Sequence, residues 1–305
     1  GTLHGAVASA AGRLRENSPA AGNGSAGVSC ACAIGARNAF PAPVEECGTV
    51  LRVWLINTGE SDSLLFQTES GAFLVDTGLK GRFDAVEAVL SRAGVSGLDA
   101  VVLTHGHKDH MGGLKKLLKL CPVDTIYTAA VDDETYSEKE LETIAESGAQ
   151  HMVLGKGDSF TFCGVSFAVL SPGRKYVEEL GEDDNDNSLV LRLTAGAFTL
   201  LLMGDATANT ERLLLREGAP LDADVLKVGH HGKDDASLAE FLSAVSPRVA
   251  LVTGSPSDGD SSPSQAVLAR LAEAGALVYS NDTDLLAVEL ILGSTGVLEA
   301  VEHAW

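Results

Sequence analysis

Thr104-His105-Gly106-His107-Lys108-Asp109-His110 is the stretch most able to do chemistry. It places three imidazoles and a carboxylate within six positions, directly after the apolar run Ala100-Val101-Val102-Leu103, which reads as a buried strand. Imidazole and carboxylate suit borderline cations such as zinc, manganese or iron. His105 and His107 lie two apart, so at an extended strand end their side chains face the same way and can share one metal. Asp109 and His110 fall on the turn beyond and can reach a second. The competing account is a solvated polar loop. Three of the chain's eight histidines in six residues, immediately after a buried strand, argue against it.

The elements that must position these groups repeat. Residues 50–56, 63–67 and 72–75 read as short strands, and Asp76-Thr77-Gly78 breaks the pattern. Phe83, Val86, Val89, Leu90 and Ala93 follow at helical spacing, then the strand 100–103, and a helix marked by Leu114, Leu117 and Leu118. A strand at 125–128, a charged helix at 137–147 with Leu141 and Ile144 inward, and a hairpin at 159–170 complete the first half. In the second half, strands 189–193 and 198–203 end at Gly204-Asp205. A helix at 209–217, a strand at 225–228, a helix at 237–244, a strand at 249–253 and a helix at 265–274 follow, and residues 276–302 close with strands. In each half a strand ends in an aspartate, a helix follows, and the next strand ends in histidines: Asp76 then His105 and His107, Asp205 then His230 and His231. Two such β-then-α halves would bring both acidic-imidazole edges together, where ligands collect at the carboxyl ends of strands.

Composition bounds the partners. The chain has 305 residues, with 22 Lys+Arg against 42 Asp+Glu, a formal charge of −20. Non-specific gripping of extended nucleic acid or anionic lipid is disfavoured by that charge. The longest apolar stretch, 189–203, is interrupted by Arg192 and reads as two strands, so no membrane span is expected. Residues 1–48, rich in Ala, Gly, Ser and Pro, read as a leader or linker before one catalytic domain at 49–305. Five cysteines form no disulfide framework. Cys30-x-Cys32 lacks a matching pair, and Cys121 and Cys163 read as small buried residues.

The histidine stretch resembles the HxHxDH signature of the metallo-β-lactamase superfamily. Supporting segments are Asn57 to Leu65 with Asp62-Ser63, Leu74-Val75-Asp76-Thr77-Gly78, Asn187 to Leu193, Leu202-Met203-Gly204-Asp205, and Ala223 to Gly232 with Lys227 and His230-His231. The likeness runs over residues 50–302 and is nearest the ComEC-like competence hydrolases and the teichoic-acid phosphorylcholine esterases. It implies an α/β fold, the four-layer αββα sandwich. It also implies two divalent metal ions, zinc first, with manganese or iron as alternatives. His105 and His107 would hold the first metal, Asp109 and His110 the second, and Asp205 would bridge them unless it merely caps the following helix. Of His230 and His231, the resemblance favours His231 as the remaining ligand and leaves His230, with Asp109, for catalysis. Asp76 is implied as the partner orienting a ligand histidine. Asn187, Ser188 and Lys233 are candidates for contacts behind the ligands or with substrate.

The chain departs from the wider pattern. Asn185-Asp186-Asn187-Ser188 stands where many members have a further histidine before Leu189, leaving the first metal to His105, His107 and Asp205, with Asn187 or water. Ser262-Pro263-Ser264 replaces a His-Pro-His-like segment, and Lys233 replaces a serine after His-His-Gly. The acidic run from Glu178 to Asp186 reads as a solvated loop, Lys115, Lys116 and Lys119 as the solvent face of a helix, Trp54 as core, and residues 254–263 as a candidate lid.

The expected function is a metal-dependent hydrolase cleaving a phosphodiester or phosphoester bond with metal-activated water. The substrate would be small or locally recognised, with no obligate protein partner. The alternatives are a lactone, thioester or β-lactam hydrolase on the same metals, or a degenerate binding member. The resemblance favours a soluble protein of the secreted or cell-envelope compartment over a cytoplasmic one.

Overall fold

The structure, a computed structural model, describes residues 49–130, 136–173, 185–255 and 262–305. The expectations for the 1–48 leader, for Cys30, Cys32 and Cys47, for residues 178–184 of the acidic run and for most of the 254–263 loop lie outside the described residues. The first half runs β1 (Thr49–Ile56), β2 (Leu64–Thr68), β3 (Gly71–Val75), α1 (Phe83–Arg92), β4 (Leu98–Val102), α2 (Lys108–Met111), α3 (Leu114–Leu120), β5 (Val123–Ala129), α4 (Glu138–Glu146) and β6 (Gln150–Leu154). The second runs β7 (Ser159–Phe162), β8 (Val165–Ser171), β9 (Val190–Ala195), β10 (Phe198–Leu202), α5 (Ala208–Glu217), β11 (Val225–Lys227), α6 (Ala239–Val245), β12 (Val249–Val252), α7 (Gln265–Glu273) and β13 (Leu277–Ser280). Then β14 (Leu285–Gly293) and β15 (Leu298–Ala304) return to the first sheet.

Two mixed sheets result. One has the order β15-β14-β1-β2-β3-β4-β5-β6 and the other β13-β12-β11-β10-β9-β8-β7. β3 to β6 are mutually parallel, as are β10 to β13. The period-2 alternation of strand side chains shows how the layers stack. Leu200, Leu202, Val225, Val249 and Leu251 join the core between the sheets. Their neighbours Leu201, Leu226, Ala250 and Val252 pack outward with Leu214, Phe241, Leu242, Val267 and Leu271 of α5, α6 and α7. Phe73 of β3 meets Phe167 of β8 edge-on, ring centroids 5.0 Å apart, across the two sheets. α1 and α3 bury Phe83, Val86, Val89, Leu90, Leu114 and Leu117 on the first sheet's helix side. Helix, sheet, sheet and helix make the four-layer αββα sandwich expected from the sequence.

Local chemistry sets the element ends. Ser137 and Glu140 form a capping box at the start of α4. Thr207 caps α5 through Asn209 N, and Ser264 caps α7 through Val267 N. Asp205 is therefore not the cap of α5. Trp54 is core, and Lys115, Lys116 and Lys119 face solvent, as expected. Three readings need correction. Leu141 is 39% exposed, because α4 lies on the sheet through Ile144 alone. Cys163 is half-buried, in a left-handed turn. β6 is an additional edge strand, its first four residues exposed, so it lacks the apolar alternation that marks a strand.

Candidate metal centre

The imidazoles and most of the carboxylates of the site sit just beyond the carboxyl ends of parallel strands, with Asp62 added from the loop between β1 and β2. Asp76 follows β3, His105 to His110 follow β4, Asp205 follows β10, His231 follows β11 and Thr253 follows β12. The backbone is shaped for this. Asp76, His230 and His231 all have positive φ (59°, 44° and 54°), a region that non-glycine residues seldom occupy. Gly204 also has positive φ, and a Cβ there would lie 2.8 Å from Ser188 Cβ, so only glycine lets the chain turn into Asp205.

Two donor sets form. In the first, His105 Nε2 lies 3.0 Å from His107 Nδ1 and 3.9 Å from Asp205 Oδ2. In the second, His110 Nε2 and His231 Nε2 each lie 3.1 Å from that same Asp205 Oδ2. Asp109 Oδ2 closes it, 3.1 Å from His231 Nε2 and 3.7 Å from His110 Nε2. Four tetrahedral ligands at about 2.0–2.2 Å from a zinc-like cation stand roughly 3.3–3.6 Å apart, close to these four separations of 3.1 to 3.7 Å. His110 Nε2 and Asp205 Oδ1 are buried with no hydrogen-bond partner, which a protein seldom tolerates unless something else satisfies them. The donor types, the spacing and these orphaned atoms all fit divalent metal.

The reverse sides of the imidazoles are held. His110 Nδ1 lies 2.8 Å from Asp76 Oδ2, and Asp76 also accepts from Thr104 N at 2.8 Å and Thr104 Oγ1 at 2.7 Å. A proton fixed on Nδ1 leaves the Nε2 lone pair for a cation. His231 Nδ1 faces Thr253 Oγ1 at 3.0 Å and Asp62 Oδ1 at 3.2 Å. Asp62 falls within metal-ligand reach of His110, Asp205 and His231. Its carboxylate nevertheless stands on the Nδ1 side of the two imidazoles, 3.8 Å from His110 Nδ1, while Asp109 and Asp205 hold the Nε2 side. His105 Nδ1 has only hydroxyls nearby, Thr104 Oγ1 at 3.2 Å and Ser188 Oγ at 3.3 Å.

Charge follows the packing. Burial would push the Asp205 pKa up, but His110 and His231 hold it well below the carboxylate range. Burial likewise raises Asp109, yet His231 and His110 bring it down to about 2. Desolvation alone would neutralise His110 and His231; the surrounding aspartates raise both well above the usual imidazole value. His105, with no carboxylate at its back, is pushed well below it by burial and by His110.

The other sequence candidates are placed as follows. His230 Nδ1 pairs with Asp235 Oδ2 at 2.9 Å, its ring centroid 6.1 Å from that of His231, beside the donor sets and not within them. Ser188 Oγ accepts from Asp205 N at 3.0 Å and so links Asp205 to His105. Asn187 is half-buried in the turn before it. Lys233 Nζ lies 3.1 Å from Glu60 Oε1. Asp186, expected in a solvated run, is instead fully buried and accepts from Thr207, Asn209 and Thr210 at the start of α5. Sequence reasoning assigned no role to Asp62, Lys227, Thr104 or Thr253. Lys227 carried a signal, since a lysine inside the apolar run Val225-Leu226-Lys227-Val228 has to be paired.

A four-layer sandwich with these donors at its strand ends defines a metal-dependent hydrolase architecture. The profile of the metallo-beta-lactamase superfamily matches residues 56–254, and the chain belongs to that superfamily. Among curated proteins it is 33% identical over 259 residues to competence protein ComA of Neisseria gonorrhoeae, covering 84% of this chain and 34% of the relative. It is 29% identical over 233 residues to ComE operon protein 3 of Bacillus subtilis, covering 70% and 30%. The chain thus spans about a third of the length of the curated relatives it matches. Among solved structures, the metallo-beta-lactamase fold protein YhfI of Bacillus subtilis shares the fold, with TM-score 0.50 and 17% identity over 75% of this chain and 95% of that one. CmlA, a diiron beta-hydroxylase from Streptomyces venezuelae, shares it with TM-score 0.55 and 13% identity over 82% and 55%. Among the described residues, no helix is long and apolar enough to cross a membrane.

Proposed function

We propose that the chain hydrolyses a phosphodiester or phosphoester bond using two divalent cations, zinc first among them, with residues 49–305 as the catalytic unit. The observation that carries this is the sharing of one atom: Asp205 Oδ2 belongs to both donor sets. His105, His107 and Asp205 would hold one cation, and Asp109, His110, Asp205 and His231 the other. Such a pair polarises a phosphoryl oxygen and lowers the pKa of water towards ~7. The protein's residues do the rest. Asp76, with Thr104, fixes the His110 ring, and Thr253 with Asp62 fixes that of His231. Asp109, its side chain 30% exposed, is the ligand on the solvent side where a substrate arrives. His230, held by Asp235, is placed to carry a proton to or from that substrate. Two cations among these imidazoles make a local positive spot on a chain of charge −20, which suits one phosphate group better than a long polyanion.

The test is Asp109→Ala and His110→Ala assayed on bis-p-nitrophenyl phosphate. Turnover should vanish while the far-UV circular dichroism stays that of the parent. Hydrolysis at the parent rate by either variant contradicts the proposal. On a panel of phosphodiester, ester, lactone and nitrocefin, the phosphodiester should be the best substrate.

A further inference from the structure

Lys227 is the one fully buried lysine among the described residues, 1% exposed at the end of β11. Its strand parity matches Val225, so it points between the sheets and not at the helices. Its ammonium forms a close ion pair with Asp62 Oδ2, donates to Gly204 O at 2.9 Å, and lies 3.9 Å from Asp205 Oδ1. Gly204 O is the carbonyl of the peptide leading into Asp205, and it also accepts from His230 N at 3.2 Å. One ammonium therefore touches the turn that aims Asp205 and the carboxylate that stands behind His231. Asp62 is fixed independently through its backbone, its N donating to Asp109 O at 3.1 Å and its O accepting from Gly78 N at 2.8 Å.

We propose that Lys227 and Asp62 act as a buried positioning pair for the four-ligand metal position. Asp62 backs the Nδ1 side of His231, and Lys227 keeps Asp62 on that side instead of letting it enter the donor set. A buried carboxylate beside a cation would otherwise turn towards the metal, compete with Asp109 and pull His231 out of line. With Lys227 in place, the pair is neutral as a unit and both partners are desolvated together. Removing one partner leaves the other buried and unpaired, so the single substitutions should be worse than the double one.

This inference rests on the metal ligation proposed above, and the experiment separates the two. Metal affinity is measured by titrating the metal-free full chain with cobalt(II), following the visible ligand-field bands and the stoichiometry, for the parent, K227M, K227R, D62N and D62N/K227M. The parent should bind two equivalents. K227M should weaken the tighter equivalent roughly tenfold or more and change its ligand-field spectrum, whereas K227R should recover part of the loss. D62N/K227M should bind more tightly than D62N. Circular dichroism reports whether each variant folds. If K227M does not fold, the comparison of D62N with D62N/K227M decides by the same criterion. Parent-like affinity and spectrum in K227M, or a double variant no tighter than D62N, overturns the positioning pair alone. A parent that binds no cobalt overturns it together with the metal ligation.

Discussion

The two halves of the sandwich put an aspartate at the same place and use it in opposite ways. Asp76 follows β3 and Asp205 follows β10, each succeeded by a helix and a parallel strand that delivers histidine. Asp76 turns back in a left-handed conformation and is saturated by Thr104 N, Thr104 Oγ1 and His110 Nδ1. Burial raises its pKa, although His110 opposes that. Asp205 turns forward after Gly204, receives nothing on Oδ1, and is held well below the carboxylate range by two imidazoles despite its burial. The difference comes from the next strand and its turn. Thr104, just beyond β4, hydrogen-bonds the first aspartate, whereas Lys227 at the end of β11 takes up Gly204 O and stands 3.9 Å from the second carboxylate. One repeated backbone unit thus supplies an orienting group in one half and the proposed shared ligand in the other.

The same asymmetry ranks the two proposed metal positions. The proposed four-ligand position has buried carboxylates behind both of its histidines. The position of His105 and His107 has hydroxyls behind one and a half-buried ring as the other. Asp205→Ala should abolish both positions and lower kcat/KM by roughly 10³-fold or more, since every donor set loses its common atom. Retention of one full metal equivalent by that variant would break the shared-ligand account. Asp76→Asn should weaken only the His110 position, by roughly 10- to 100-fold in metal affinity, with the cobalt spectrum of the other position unchanged. Ser188→Ala should do the reverse and less, a few-fold loss confined to the position of His105, readable as a raised dissociation constant for the weaker equivalent.

A smaller effect tests the scaffold that carries His231. Glu211 of α5 is buried and accepts from Ser237 N at 2.6 Å and Leu238 N at 2.8 Å, tying down the segment after the His-His turn. Burial pushes its carboxyl up to about 7, the two backbone donors notwithstanding. A carboxyl raised on folding contributes stability that is full below its unfolded pKa, about 4.3, and is lost as pH rises through 7. The melting temperature of the metal-free parent should therefore fall between pH 5 and 8, and Glu211→Gln should flatten that slope. An equally steep slope in the variant would assign the pH dependence elsewhere.

Much of what the fold brings together is local in sequence. His105, His107, Asp109 and His110 share one turn, and the recurring strand–Asp–helix–strand–His unit points to Asp205 and to His230 and His231 alike. The preference for His231 and the orienting role of Asp76 come from the superfamily resemblance. Asp62 could not be assigned from either, because it sits in a short loop whose carboxylate gains a role only when sheet packing brings Lys227 and His231 against it. β6 was missed for a related reason: an exposed edge strand needs only its neighbour's backbone, so nothing in Gln150–Leu154 marks it. Leu141 misled because helical spacing names a face, not the width of sheet that the face meets. Periodicity and motif locate what is contiguous, and long-range pairing of charge is left to the tertiary fold.

The most direct test of the shared-ligand centre is an anomalous-scattering map of zinc-loaded crystals. Two zinc peaks are expected, both within coordination distance of Asp205 Oδ2, with the stronger between His110, His231 and Asp109. A single peak, or one coordinated by Asp62 in place of Asp109, would contradict that centre.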